Sequence, residues 1–200
     1  MHAVLNNNLF FIKEHIGIFK AANNFDIFDP NTNQKIMECR EPDLGTLTRF
    51  LRFTDFKRMT PFHVILTTPE GQKVLSLKRG ISIFKSYVEV FDENDMKVGE
   101  FEQKFFSIGG EFNIDKFGDA KIYTLQGNLI GWGFRFLQGE KIHGYEELAN
   151  VSKKWAGLGK ELFTSADNYM LTINNDVQQT DSVRILMLAA VMCIDLVFKE

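Results

Sequence analysis

Residues 182–198 read SVRILMLAAVMCIDLVF, and this stretch is apolar on every side between Ile185 and Ile194. A helix on a protein surface carries polar residues on its outer side at every turn. A helix without a polar face must lie either inside a protein or inside a bilayer. The choice between these two environments decides the fold, and the rest of the chain bears on it.

The length and the charge of this stretch weigh against the bilayer. A helix over residues 182–198 would be roughly 26 Å long, slightly less than a hydrocarbon core of roughly 30 Å. Asp195 opposes insertion by up to about 3 kcal/mol, which offsets much of the gain from the apolar side chains. In a protein core each large apolar side chain contributes roughly 1.5–3 kcal/mol. Burial is therefore the favoured interpretation, and a membrane span is the alternative.

Most of the remaining chain reads as short β-strands. Period-two alternation rich in Phe, Val, Ile, Tyr and Thr is the strand signature. Turn sequences such as Thr-Pro-Glu-Gly at 68–71 and Gln-Gly-Asn at 126–128 separate the strands and predict hairpins. The predicted strands are 24–29, 62–68, 73–78, 87–92, 97–102, 111–115, 121–125, 133–137, 150–155 and 168–173.

Strands and helix fit together as a barrel with a helix inside it. The hairpins form a weak internal repeat, in which an aromatic and acidic strand precedes a strand containing Lys. Around ten or more antiparallel strands would expose unpaired edges unless the sheet closes on itself. A barrel of that size has room for a central helix. The sequence predicts one all-β domain over residues 1–200, a closed antiparallel β-barrel that encloses the helix at about 182–198.

One region departs from the strand pattern. Residues 41–53 read EPDLGTLTRFLRF and place Leu44, Leu47 and Leu51 at helical spacing. Pro and Asp near the start favour helix initiation, so we expect a short amphipathic helix from about Asp43 to Phe53. The helix either caps one barrel end or lies at a lipid interface.

Basic residues accompany this amphipathic helix. They could meet anionic headgroups, each adding about 1 kcal/mol near such a surface. A solvated face and a nucleic-acid surface are the alternatives, but a net charge of −3 argues against nucleic acid. The candidate headgroup-binding residues are Arg49, Arg52, Lys57 and Arg58.

The chain resembles the phospholipid scramblase family, which belongs with the tubby C-terminal-like and LURP-one-related proteins. The resemblance spans Phe25 to Phe198 and is most specific in the last third, where VSKKWAG at 151–157 and FTSADNY at 163–169 precede the terminal helix. It implies a closed barrel of about twelve strands around a C-terminal helix. It further implies membrane-lipid association and, for some members, calcium-dependent movement of phospholipid between leaflets.

The calcium site of the family is degenerate in this chain. Family members that scramble carry an acidic, EF-hand-like loop just before the helix, and residues 165–176 correspond to it. Such a loop needs oxygen ligands at positions one, three and five, Gly at six and Glu at twelve. Here Asp167 and Asp176 are the surviving carboxylates, while Tyr169 and Met170 stand at positions five and six. Calcium at Asp167 and Asp176 is one candidate, and a turn followed by a strand is the favoured alternative.

Composition limits the remaining possibilities. With Cys39 and Cys193 isolated in the sequence, we expect a reducing compartment and no disulfide framework. The N-terminus shows no signal-peptide pattern, so we expect a cytoplasmic protein, with peripheral attachment to a membrane as an option. The four histidines show no metal spacing, and neither a phosphate loop nor a nucleophile elbow is present. We therefore expect no enzyme and no cofactor other than the calcium candidate.

Two functional hypotheses remain open. The first is a scramblase-like, lipid-associated barrel that acts on membrane phospholipid without covalent chemistry. The second is a soluble binding or regulatory module that shares the fold and transports no lipid, since fold does not fix function. Within the helix, Asp195 must find a partner, for which we expect a backbone amide or a Lys or Arg side chain at a barrel end.

Overall fold

The structure is a computed structural model. It describes residues 1–15, 24–42, 45–54, 59–83, 85–104, 110–128, 133–140, 142–153 and 168–198. Within these ranges the chain forms twelve β-strands and two α-helices. The helices are α1 (Thr46–Leu51) and α2 (Val183–Cys193), and a π-helical segment, Ile194–Phe198, continues α2. A short 3-10 turn, Ala3–Asn6, precedes the first strand.

The strands are β1 (Leu9–Glu14), β2 (Phe25–Asp29), β3 (Gln34–Arg40), β4 (Phe62–Thr67), β5 (Lys73–Arg79), β6 (Tyr87–Asp92), β7 (Lys97–Gln103), β8 (Glu111–Lys116), β9 (Tyr123–Asn128), β10 (Gly133–Glu140), β11 (Gly144–Ser152) and β12 (Asn168–Ile173).

Each strand pairs antiparallel with its neighbours in sequence, and the sheet closes where β1 pairs with β12. In that last pair Phe10 lies opposite Leu171 and Ile12 opposite Tyr169. Closure leaves no unpaired strand edge, which is the usual reason for an antiparallel sheet of this size to form a barrel. The predicted closed barrel of about twelve strands is confirmed.

The prediction was incomplete in the first strand. Residues 9–14 were not assigned to a strand, although β1 is the strand that closes the barrel. The prediction for β11 began too late, since this strand starts at Gly144 rather than near Asn150. The sequence GYEELA at 144–149 is mostly polar and does not alternate clearly, so its pairing with β10 decides its conformation.

Helix α2 runs through the barrel and is buried on every side. Every residue of α2 is buried, and so are Ile194, Asp195, Leu196 and Val197. The helix and the inward-facing side chains of the strands form one apolar core. Burial is thus the environment of the terminal stretch. Within the described ranges, no helix combines the length and the apolarity that a membrane span requires.

The barrel has two different ends, because odd-numbered strands run toward one and even-numbered strands return to the other. We call the first the α1 end, since α1 lies in the connection between β3 and β4. The second is the entry end, where residues 1–8 lie and α2 begins. Helix α2 therefore starts at the entry end and finishes near the α1 end.

A buried arginine fixes the helix at the entry end. Arg184 is fully buried, and its Nε donates to Leu5 O at 2.7 Å. Its two other guanidinium nitrogens donate to Val177 O, to Asn7 O and to the Asn8 Oδ1 atom. A buried cation requires such acceptors to offset its desolvation. One side chain of α2 thus ties the N-terminal segment to the helix.

Candidate functional site

Exposed apolar side chains lie at both barrel ends, and at the α1 end five of them belong to two connections that touch. Phe50 and Phe53 extend from α1 and its last turn, and Ile81 and Ile83 lie in the connection between β5 and β6. Together with Met59 they are between 36% and 77% exposed. Ser82 N donates to Met59 O at 3.2 Å, so the two connections touch. We call these five residues the apolar patch.

The backbone beneath the apolar patch is held by two buried arginines. Arg52 donates from two guanidinium nitrogens to both carboxylate oxygens of Glu41, at 2.5 and 2.7 Å, and also to Pro61 O at 3.0 Å. Arg79 donates to Thr60 O at 2.6 Å. Bidentate pairs of this kind are strong and directional. They fix the connection between β3 and β4 onto the barrel, so the patch is presented on a supported surface.

A pocket of about 350 Å³ lies next to the patch. It is formed where the connection carrying α1 meets the ends of β4 and β5, and Gly80, which precedes Ile81, belongs to its wall. Its lining combines charged and apolar groups. The residues that line it are Glu41, Thr48, Pro61, Phe62, His63, Lys78, Arg79 and Gly80.

The four residues predicted to bind headgroups differ in how much of them the structure describes. Arg49 belongs to α1, but its side chain is not described. Arg52 is only 6% exposed, and the pair with Glu41 occupies its guanidinium. Lys57 and Arg58 lie outside the described residues. Headgroup binding by these four residues remains a prediction, and for Arg52 the structure shows a supporting role for the loop.

The amphipathic helix predicted from Asp43 to Phe53 is shorter in the structure. Helix α1 covers Thr46–Leu51, and Asp43 and Leu44 lie outside the described residues. Phe50 points to solvent and Leu51 is half-buried. The sequence interpretation missed Met59, Ile81 and Ile83. Their signal was an apolar Ile-Ser-Ile run in a connection between two strands, where polar residues are usual.

One of the two candidate calcium residues, Asp176, lies at the opposite end of the barrel from the apolar patch. Residues 168–173 of the calcium-loop match form strand β12, as the favoured alternative predicted. Asp176 follows this strand at the entry end, where it lines a second pocket of about 360 Å³ with Glu146, Asp181 and Lys121. Asp167 lies outside the described residues. In the described part of the chain no three His, Cys, Asp or Glu side chains converge as a metal site requires. Calcium at Asp167 and Asp176 stays an untested expectation.

One partner of Asp195 is a buried phenol, which was not predicted from the sequence. The hydroxyl of Tyr169, on β12, donates to Asp195 Oδ1 at 2.5 Å. The expectation of a backbone amide or a basic side chain was therefore incomplete, because a buried phenol supplies this hydrogen bond. The amino group of Lys153 lies 5.6 Å from the centre of the Tyr169 ring. Asp195 is thus held near the α1 end, in the segment where α2 becomes π-helical.

Both cysteines are enclosed in the core. Cys39 and Cys193 are fully buried and neither forms a disulfide. Burial raises the pKa of both thiols. A protonated thiol without solvent access is a poor nucleophile and a poor metal ligand. Both thiols contribute to the packing of the apolar core.

Comparison with known protein families gives a match over nearly the whole chain. A family model described as Scramblase matches residues 11–200. Comparison with curated proteins finds no match. Comparison with solved structures finds none either.

Proposed function

The chain belongs to the Scramblase family, and from this premise we propose that it contacts membranes and moves phospholipids between leaflets without covalent chemistry. The observation that carries the proposal is the apolar patch at the α1 end. Phe50, Phe53, Met59, Ile81 and Ile83 expose apolar surface on one supported face of the barrel. Contiguous exposed apolar surface commonly marks a membrane or partner contact.

The enclosed helix limits how the protein can meet a membrane. Because α2 fills the barrel, its apolar side chains already contact protein. Extracting them would expose the barrel interior and lose roughly 1.5–3 kcal/mol for each large side chain. Membrane contact is therefore expected through the outer surface, and the apolar patch supplies it. Partial insertion of two Phe and two Ile side chains would stabilise an interfacial attachment, with each side chain contributing about 1 kcal/mol to the free energy of membrane binding.

The pocket beside the patch supports lipid movement in particular. A phospholipid has a polar headgroup that resists hydrocarbon and acyl chains that resist water. The pocket offers His63 and Lys78 among its lining residues, and the patch offers apolar side chains next to it. A recess that carries a few polar side chains and borders an inserted apolar surface would lower the barrier for the headgroup to leave the bilayer surface. No covalent intermediate is needed for that step.

The alternative is a binding or regulatory module that uses the same barrel and transports no lipid. The supported apolar patch would then meet another protein, since the same surface chemistry serves both kinds of partner. Lipid transport and vesicle binding separate the two hypotheses.

The test is a lipid-scrambling assay on vesicles with a fluorescent phospholipid in both leaflets. A membrane-impermeant reductant bleaches the outer leaflet only, unless lipids exchange. We expect the purified protein to bind the vesicles and to increase the bleached fraction. The double variant Phe50→Ser and Ile81→Ser should bind at least tenfold more weakly and lose the activity.

Ile142→Ser is the matched control, because Ile142 is 86% exposed but lies at the entry end, in the connection between β10 and β11. It should leave binding and scrambling unchanged. Binding without exchange of lipid would support the regulatory alternative. Equal loss of binding in both variants would show that the apolar patch is not the contact surface.

A further inference from the structure

The charged residues in the connections between strands are distributed unequally between the two ends of the barrel. In the described connections at the α1 end, cations outnumber carboxylates. By sequence the cations there are Arg49, Arg52, Lys85, Lys104 and Lys153, and the carboxylate is Glu41; Arg52 is buried against Glu41, and Lys104 pairs with Glu111 at the start of β8. In the described connections at the entry end the balance is reversed. The carboxylates are Glu70, Glu93, Asp95, Asp119, Asp176 and Asp181, and the basic side chain is Lys121.

The entry end is acidic in three dimensions as well. Asp176 and Asp181 line the 360 Å³ pocket there with Glu146, which lies on β11. Glu70, Asp95 and Asp176 are exposed to solvent. At the α1 end, Lys85 is exposed two residues after Ile83, and it pairs with Glu102 at the end of β7. The apolar patch therefore lies at the less acidic end of the barrel.

The two ends are far enough apart for a contacting surface to sense the charges of one end only. A six-residue strand is about 20 Å long, whereas charges are screened over about 8–10 Å at physiological salt. A surface in contact with the α1 end would sense the cations there and very little of the entry-end carboxylates. With the entry end against an anionic surface, the carboxylates there would oppose contact.

We infer that the barrel docks end-on, with its α1 end against an anionic phospholipid surface, its axis along the membrane normal and its entry end facing away. This inference rests on the proposed function and adds to it the lipid class and the orientation. The apolar patch supplies insertion, and the surrounding cations supply preference for anionic headgroups. The entry-end pocket and the N-terminal segment held by Arg184 would then face the aqueous phase.

Depth-dependent quenching tests the orientation. Cys39 and Cys193 are fully buried, so a single introduced cysteine can be labelled with a fluorophore while both native cysteines are kept. Ile81→Cys reports the α1 end, and Ile142→Cys reports the entry end, both at strongly exposed positions. With vesicles of phosphatidylcholine and phosphatidylserine that contain a quencher-bearing lipid, we expect strong quenching at Ile81→Cys and none at Ile142→Cys.

Charge reversal tests the lipid class. Lys85→Glu should weaken binding to vesicles with phosphatidylserine by about tenfold or more, since each cation near such a surface accounts for about fivefold. Lys121→Glu, at a lysine that is also exposed but lies at the entry end, should change affinity by less than about twofold. Raising the salt concentration should weaken the wild type more than Lys85→Glu.

The outcomes distinguish this inference from the proposal on which it rests. Binding with quenching at Ile142→Cys would overturn the orientation and leave membrane association intact. Equal affinity for neutral and anionic vesicles would overturn the lipid class. Absence of binding to either vesicle would overturn both the inference and the proposed function.

Discussion

At the scale of single residues, two buried polar side chains fix α2 at its two ends. Arg184 donates to backbone oxygens of the N-terminal segment at the entry end, and Asp195 accepts from Tyr169 near the α1 end. An apolar helix in an apolar barrel could slide or rotate with little change in burial. Polar groups that must be satisfied allow one position only. These two residues therefore specify how deep the helix lies and which side faces β12.

Replacing Arg184 by Met should destabilise the fold more than its loss of charge alone suggests. The variant would leave the carbonyl oxygens of Leu5, Asn7 and Val177 without the guanidinium donor. Each buried acceptor left unsatisfied costs about 1–3 kcal/mol, so we expect a total loss of about 3 kcal/mol or more. Urea unfolding measures this, and hydrogen exchange should show residues 1–8 opening first. Lys121→Met, at an exposed entry-end position, is the control and should change stability by less than about 0.5 kcal/mol.

A second residue at the entry end makes stability depend on acid. Asp119 accepts from the backbone N–H of Lys121, from Lys116 and from the Tyr123 hydroxyl, and these bonds lower the pKa of its carboxyl to about 2. A lowered pKa stabilises the fold above the unfolded value of about 3.9, and this contribution is lost as pH falls toward the folded value. Asp119→Asn should therefore be less stable than the wild type at neutral pH, and the difference should shrink between about pH 4 and pH 2.

Unfolding curves at several pH values measure this difference in free energy. A difference that stayed constant down to pH 2 would show that the carboxylate charge of Asp119 does not stabilise the fold.

At the scale of elements, the helix requires a small residue on a strand that passes close to it. Gly99 lies on β7, where α2 and β8 both come close. The position that its side chain would occupy is bordered by the Cδ2 atom of Leu186, on α2, and by the backbone oxygen of Asp115, on β8. A Cβ atom there would lie 2.3 Å from Asp115 O and 3.1 Å from Leu186 Cδ2. The contact with the backbone oxygen cannot be relieved by turning a side chain. Glycine is thus needed where β7, β8 and α2 meet.

Gly99→Ala should destabilise the barrel by about 1–3 kcal/mol through this overlap. Gly80→Ala is a matched control, because a Cβ atom at Gly80 would meet nothing within 4 Å. Thermal unfolding of the two variants compares them directly. Equal melting temperatures would show that β7 and β8 separate without cost, contrary to the packing described.

At the scale of the whole molecule, closure and the enclosed helix make the barrel a single cooperative unit. The core includes side chains from the strands and from α2, and no strand can leave without opening the wall around the helix. The end-to-end difference in charge and the apolar patch are also properties of this scale. They exist because connections distant in sequence are brought to the same end.

Leu188→Ala tests this cooperativity. Leu188 is fully buried in the middle of α2, and the truncation should cost about 2–5 kcal/mol. If the barrel and the helix unfold together, hydrogen-exchange protection should fall by a similar factor in the most protected amides of all twelve strands. Loss of protection confined to α2 and its nearest strands would show that the barrel is stable without its helix.

The sequence by itself determined the class of fold, because its evidence is local. The apolar run from Ile185 to Ile194 requires enclosure, and period-two alternation identifies ten of the strands. What remained open depends on which distant residues meet. Strand β1 closes the barrel against β12, and Arg184 binds acceptors 176 to 179 residues away.

The candidate site was predictable only in part for the same reason. Residues near α1 were identified from their spacing and charge, but the ion pair with Glu41 that buries Arg52 depends on how the loop folds back on β4 and β5. The apolar patch joins Phe50, Phe53 and Met59 with Ile81 and Ile83 from another connection. Hydrophobic periodicity reports which face of an element is buried, and it carries no information on which elements share an end. That was decided by closure of the barrel, which is a property of the tertiary structure alone.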